Sequence, residues 1–319
     1  MSSRLSPLRT IRRILFVVSA LLLLQSAAHA TGDPPMLNIQ ALSAVMSRSV
    51  LTYPLRAGVF QTKFAPSYVT NNSQDSSNVN NGPNPNIDGR FSNKMSGYGM
   101  TTALTYGFTD HWGVSFLAGY TNISGSRTLS FRDNNGTLIV TPPAKVNSAT
   151  NNGNNAINGA AGQGHGIVAI VSAIWDHWEG DGFRLPVYLG SGVMSISEQA
   201  DAAGYGMKRT GDVMSPSLLV GMAPSMNLWK FRAVSYFMLA TALIPGTGSI
   251  IDYDPRTGAV NSKTNFPLVG GLDSAFPIAG VEFTYRPWGL GFTYAPDVMG
   301  EGAQSYGLKW SREWGGQGK

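Results

Sequence analysis

Cysteine is absent from this 319-residue chain, which excludes disulfides, thiolate metal sites, covalent haem attachment and a lipidated cysteine. Charge is scarce as well: Asp, Glu, Lys and Arg make up 13% of the residues, about half the share of an ordinary globular domain. There are four histidines, and none lies in H-E-x-x-H or H-x-x-E-H spacing, so no metal or other cofactor is expected. Long apolar runs are also missing. Beyond residue 30 no stretch approaches the roughly 18 uninterrupted apolar residues of a transmembrane helix, so if the chain enters a bilayer it must cross as strands.

What is present begins with an export address. Arg4, Arg9, Arg12 and Arg13 precede an apolar run from Ile14 to Leu24, which is followed by Ala28-His29-Ala30. That is the layout of a signal peptide over residues 1–30, with cleavage near Ala30 and a mature start at Thr31. The formal net charge is +5, but the leader holds four bases and no acid, leaving 19 bases against 18 acids, or +1. The basic balance therefore carries no nucleic-acid signal. Residues 31–55 read as a periplasmic lead-in. In it Leu37, Leu42, Val45 and Met46 fall near helical spacing, as for a short helix at the mouth or inside a lumen.

From Arg56 the period becomes two. Ten segments alternate: Arg56–Val69, Tyr98–Phe108, Trp112–Asn122, His165–Trp175, Phe183–Ser197, Val213–Met226, Trp229–Leu243, Ala275–Arg286, Trp288–Pro296 and Gln304–Trp314. Each is about as long as a tilted transmembrane strand, roughly 9 to 11 residues. In the second, Tyr98, Met100, Leu104, Tyr106 and Phe108 lie opposite Gly99, Thr101, Ala103, Thr105 and Gly107. A soluble β-sandwich would also alternate, but its outer face would carry many more charges than these do. The fourth segment fits poorly, because Ile167, Ile170 and Ile174 are split between its two faces.

Connections alternate in length. Thr109-Asp110-His111, Asn227-Leu228 and Pro287 are short, whereas Thr70–Gly97, Ile123–Gly164, Glu198–Asp212, Ile244–Ser274 and Asp297–Ala303 are long. Short periplasmic turns opposite long external loops define the expected fold: an all-β, antiparallel up-and-down transmembrane β-barrel over residues 56–314, with a tail at 315–319. Trp112, Trp175, Trp178, Trp229, Trp288 and Trp314 would form a periplasmic interfacial girdle, since indole combines an apolar body with a polar N–H. The Asn-rich tracts Asn71–Ser73, Asn80–Pro85 and Asn151–Asn155 read as mobile surface loops. Leu129–Val140 and Ile250–Val260 read as hairpins, and one of them entering the wall would raise the strand count from ten to twelve.

With the aromatic faces turned to lipid, Lys63, Arg184, Lys230, Arg232, Glu282, Arg286, Lys309 and Glu313 line the lumen, all but Lys63 toward the periplasmic half. Inward charge marks either a salt-bridge plug or a hydrated, anion-favouring path through a barrel roughly 20 Å across. Glu282 is expected within ion-pair range of at least one base, with Lys230, Arg232 and Arg286 nearest in the hairpin order. A rim enzyme is the competing class. It would need His165 beside a loop acid such as Asp201, Asp212, Asp252, Asp273 or Asp297. His111 and His177 sit in turns, where local hydrogen bonding is the simpler role. No catalytic residue is assigned, and the chain is read as a non-enzyme.

Tyr306–Trp314 resembles the C-terminal assembly signal of outer-membrane proteins, departing from it at Arg312 and in the trailing Gly315–Lys319. Within that class, Tyr106-Gly107-Phe108-Thr109-Asp110-His111-Trp112-Gly113-Val114 is similar to a strand-turn-strand element of the MetA-pathway phenol-degradation barrels. The resemblance covers two strands of ten and implies passage of small, often aromatic compounds. The expectation is a monomer in the outer membrane of a Gram-negative cell, acting as a narrow, porin-like channel or transport facilitator for small solutes. A closed barrel with interacting loops is the alternative. Expected partners are outer-membrane lipid and lipopolysaccharide, the barrel-assembly machinery and a small-molecule solute.

Overall fold

The computed structural model describes residues 50–78, 88–132, 138–139, 160–176, 179–180, 182–202, 207–254, 257–267, 275–296 and 303–315. The expected signal peptide at residues 1–30, Leu37–Ser49, Asn80–Pro85, Asn151–Asn155, His177, Trp178, Asp273 and Asp297 lie outside them. Ten strands form the wall: β1 (Phe60–Asn78), β2 (Asp88–Gly107), β3 (Trp112–Arg132), β4 (Ala160–Trp175), β5 (Val187–Ala202), β6 (Met207–Met222), β7 (Phe231–Ala242), β8 (Phe276–Tyr285), β9 (Leu290–Ala295) and β10 (Ala303–Trp314). Each pairs antiparallel with its sequence neighbours, and Phe60↔Trp314 closes β1 on β10. Closure pairs the backbone polar groups between strands, which is why an alternating chain without spanning helices can live in lipid.

The period of two puts large apolar side chains outside. Phe64, Leu104, Phe116, Val171, Leu189, Val220, Phe292 and Leu308 are exposed, while Lys63, Ala103, Ser115, Ser172, Tyr188, Leu219, Thr293 and Lys309 beside them in sequence are buried. At the short-turn end Trp112, Trp175, Trp229, Trp288 and Trp314 are all exposed. Trp112 and Trp175 stack with ring centroids 6.0 Å apart. Arg312, the polar residue inside the C-terminal signal, points outward and lies over the Trp314 ring at 4.5 Å.

Two expectations change and one alternative closes. The connections on the long-loop side are partly wall: the β1–β2 ladder runs to Asn78↔Asp88 and the β5–β6 ladder to Ala202↔Met207. Asn71-Asn72-Ser73 is therefore strand rather than loop. Extending an existing ladder needs only backbone pairing, which Asn and Ser supply as well as Val does, and 19 residues of β1 tilted near 45° rise roughly 45 Å, well past an apolar band of about 25 Å. Second, the external hairpins stay outside the wall, so the count is ten. Thr247–Tyr253 pairs with Val260–Pro267 and sits on Met207–Asp212, above the stretch where β6 meets β7, while Leu138–Ile139 only caps the top of β3. Third, β9 is six residues long and does not reach the length of a spanning strand.

The β6–β7 turn is also displaced. Ser225–Leu228 continues the ladder to Phe231–Val234, leaving Trp229-Lys230 as a two-residue turn in which Trp229 has φ 54°. Asn227, the residue chemically suited to a turn, pairs with Arg232 instead, so the register of the wall overrides local turn preference.

A charge on the lipid face should cost more than one anywhere on the external ladder. Val171→Arg, midway along β4, is expected to lower stability by about 2–4 kcal/mol, read from denaturant unfolding in phospholipid vesicles. Substituting the exposed Lys94 by Ala is expected to change stability little.

Candidate functional site: a lumen in two zones

The periplasmic zone is ionic and closed. Glu282 on β8 is fully buried and receives Lys63 of β1 at 2.6 Å on one carboxylate oxygen and Lys309 of β10 at 3.1 Å on the other. Both lysines are buried. Lys63 Nζ also donates to the Val50 carbonyl at 3.1 Å, and Lys309 Nζ to Thr52 Oγ1 at 3.1 Å. Three charges from three strands therefore meet around a peptide that belongs to none of them. Taking Glu282 away would leave two buried lysines uncompensated, which is the costly case for a buried ion pair.

That peptide is the segment from Val50 to Leu55. Val50, Leu51, Thr52, Tyr53 and Leu55 are all buried, and the chain turns at the periplasmic rim, where Val59 N–H donates to the Arg56 carbonyl, to enter β1. Gln61 acts as a backbone mimic. Its Oε1 accepts from Tyr53 N–H, while its Nε2 donates to the carbonyls of Tyr53 at 3.1 Å and Pro54 at 2.9 Å. Leu51 N–H donates to the Tyr188 hydroxyl at 2.8 Å, and Thr52 Oγ1 meets Ser311 Oγ at 2.9 Å. The bonds from this strap to the wall use side chains, which hold it in the lumen without its becoming an eleventh strand. Two glycines make room. A Cβ on Gly113 would lie 2.9 Å from Leu55, and one on Gly289, at φ 65°, would meet the Tyr53 hydroxyl at 2.8 Å.

The remaining predicted charges divide. Arg232 is 1% exposed and donates to Ser225 Oγ at 2.6 Å; Arg184 is half-buried and pairs with Asp176 at 2.9 Å; Glu313 is half-buried on an inward position of β10. Arg286 is half-buried in the β8–β9 turn, its N–H donating to the Lys230 carbonyl. Lys230 is not a lumen residue. β7 begins at Phe231, so Lys230 belongs to the turn, is exposed and stacks on Trp229 at 4.8 Å. Lys63 is not set apart from the periplasmic group either. β1 begins at Phe60, which puts Lys63 level with Glu282 and Lys309. Glu282 does have bases in range, but they come from β1 and β10 and not from Lys230, Arg232 or Arg286.

Above this level the lumen changes chemistry. Leu117, Val168, Ile170, Met194, Ile196, Val213, Leu219, Met238, Ala240 and Ile278 are buried and continuous with Val50, Leu51 and Leu55 in one apolar cluster. The buried charged residues among those described are Lys63, Asp176, Arg232, Glu282 and Lys309, all in the periplasmic zone. Among the described side chains, inward positions higher up hold apolar residues, Gly, Ser and Thr. This explains the fourth segment: Ile167 and Val171 face lipid while Val168, Ile170 and Ile174 face the lumen. β4 reads apolar on both faces because both are apolar.

His165 is on the outward, exposed face of β4 between exposed Gln163 and Ile167, opposite Asn122 of β3 and Ser197 of β5 in the ladder. Asp212 is exposed, and Asp201 and Asp252 sit on β5 and on the external hairpin. His111 Nδ1 lies 2.9 Å from the Asp176 carbonyl, tying the β2–β3 turn to the end of β4. Gln61, Tyr188, Thr52 and Asp176 complete the ionic zone and were not singled out from sequence; parity marks Gln61 as inward, two residues before Lys63.

No family model and no curated protein matches the chain, so the likeness to the phenol-degradation barrels rests on residues 106–114 alone. Solved structures do resemble it. The outer membrane protein OprG from Pseudomonas aeruginosa is 13% identical, with 82% of this chain and 97% of that one covered, at a TM-score of 0.36. The translocator domain of the autotransporter NalP from Neisseria meningitidis is 10% identical over 90% and 95%, at 0.39. The outer membrane protease OmpT from Escherichia coli is 9% identical over 83% and 100%, at 0.32. At these values the likeness concerns the fold, that of an outer-membrane β-barrel, and nothing about activity is taken from it.

Removing the carboxylate should be worse than removing the whole ionic cluster. Glu282→Gln is expected to destabilise the barrel by about 3–5 kcal/mol, while the triple change Lys63→Met, Glu282→Leu and Lys309→Met should be tolerated far better. Thermal unfolding followed by heat-modifiable gel migration would separate the two.

Proposed function

We propose that this protein is an outer-membrane facilitator for small, uncharged, apolar solutes, which it takes into the outer part of its lumen. The observation that carries this reading is the apolar inner face of β3 to β8 above the Glu282 cluster. Barrels that conduct ions or sugars have polar, watery interiors, and a wall apolar on both faces is poorly suited to them. An apolar solute leaving water for such a lumen gains about 0.8 kcal/mol per buried CH2. The anion path considered from sequence is disfavoured, because Lys63 and Lys309 are committed to Glu282 and Arg184 to Asp176.

The closed barrel with interacting surface loops is the second reading, favoured by the strap and the ion cluster that seal the periplasmic end. Uptake separates them. In cells with an intact lipopolysaccharide leaflet, loss of this protein should slow uptake of naphthalene and leave glycerol unaffected. Val168→Thr with Ile170→Thr should lower naphthalene uptake about fivefold, since the lumen loses apolar surface and gains two hydroxyls. Equal uptake with and without the protein would leave the closed barrel.

A further inference from the structure

Glu282 settles two of the buried bases, but Arg232 is left over. This β7 residue is 1% exposed. One of its terminal nitrogens donates to the neutral hydroxyl of Ser225 at 2.6 Å, and its Nε has no hydrogen-bond partner. Its surroundings are charged as well. Ser225 stands opposite Arg184 in the ladder, Arg184 pairs with Asp176 Oδ2 at 2.9 Å, and Arg184, Arg286 and Asp176 all lie within reach of the Arg232 field. Glu313, another acid at this end, couples to Arg56 and Arg286 more strongly than to Arg232. Arg184, Arg232 and Arg286 thus face Asp176 and Glu313, with one positive charge in excess. A guanidinium taken out of water without a counter-charge is a costly arrangement.

We propose that this corner of the lumen binds a small protonated oxoanion of the hydrogen phosphate class, which enters from the periplasm and seats against Arg232. Three buried atoms supply the contacts. Thr284 of β8 is the ladder partner of Arg232 and is fully buried. Its Oγ1 has no hydrogen-bond partner, and neither has Asp176 Oδ1. Oxygens of the anion accept from the Arg232 Nε–H and from the Thr284 hydroxyl in charge-assisted bonds. The Asp176 carboxylate can only accept, so it favours an anion that still carries a P–OH and repels a fully deprotonated one such as sulfate. Water would satisfy the hydroxyl and the carboxylate but would leave Arg232 uncompensated. Arg184 and Arg286 are half-buried at the rim and make the entrance positive. The inference is independent of the facilitator reading, since an uncharged solute offers a guanidinium nothing.

Isothermal titration calorimetry on the folded barrel in dodecyl maltoside, with sodium chloride holding the ionic strength constant, tests this. Inorganic phosphate should bind saturably and raise the thermal unfolding temperature as it does so, whereas sulfate should do neither. Thr284→Val keeps the side-chain shape and loses the hydroxyl. It should weaken phosphate binding about tenfold, the size of one hydrogen bond to a charged group, and leave heat-modifiable migration unchanged. Arg232→Met should abolish binding, and if that variant does not fold, Thr284→Val still decides the matter. Absence of saturable phosphate binding by the wild type would overturn the proposal, as would sulfate binding as tightly as phosphate. Phosphate affinity unchanged by either substitution would put the anion elsewhere and overturn it too.

Discussion

Backbone pairing in a solvent that offers no hydrogen bonds is the constraint on which the rest of this molecule depends. Lipid cannot satisfy an N–H or a C=O, so a chain that crosses without spanning helices must close its sheet. Closure divides the residues of the wall strands into outward and inward, and the alternation of side chains follows from that division.

The inward faces then answer two demands at different heights. At the periplasmic end the lumen receives a strap whose backbone carries polar groups but makes no ladder; buried Gln61, Tyr188 and Lys63 bond that backbone, and Lys309 and Ser311 hold the Thr52 hydroxyl. A single carboxylate, Glu282, holds both lysines. Above it there is no strap backbone among the described residues to satisfy, and the lining becomes Leu, Ile, Val and Met. The division of the lumen into a polar seal and an apolar outer part thus follows where the N-terminal peptide runs.

The same arrangement separates inward charge from ion conduction. A count of bases on inward positions suggests an electropositive path, yet two of those bases are taken up by Glu282, one by Asp176, and one candidate, Lys230, lies in a turn. What counts is whether a charge is compensated, and compensation is set by strands far apart in sequence: Lys63 and Glu282 are 219 residues apart.

The sequence by itself determined the class of the fold, the ten wall segments with their turn-side ends within a few residues, the outward aromatic faces and the turn-side position of the described tryptophans, because all of these follow from a period of two and from indole chemistry, which are local. It also held the clue to the apolar lumen, in the isoleucines of β4 that fitted neither face of a conventional porin strand. Tertiary structure alone decided which base meets Glu282, since that depends on β1, β8 and β10 being brought together by closure. It decided where the Trp229-Lys230 turn falls, since the register of neighbouring strands outweighed the preference of Asn227. And it decided that residues 50–55 line the inside of the barrel, because nothing in a six-residue peptide specifies the distant side chains that satisfy its backbone.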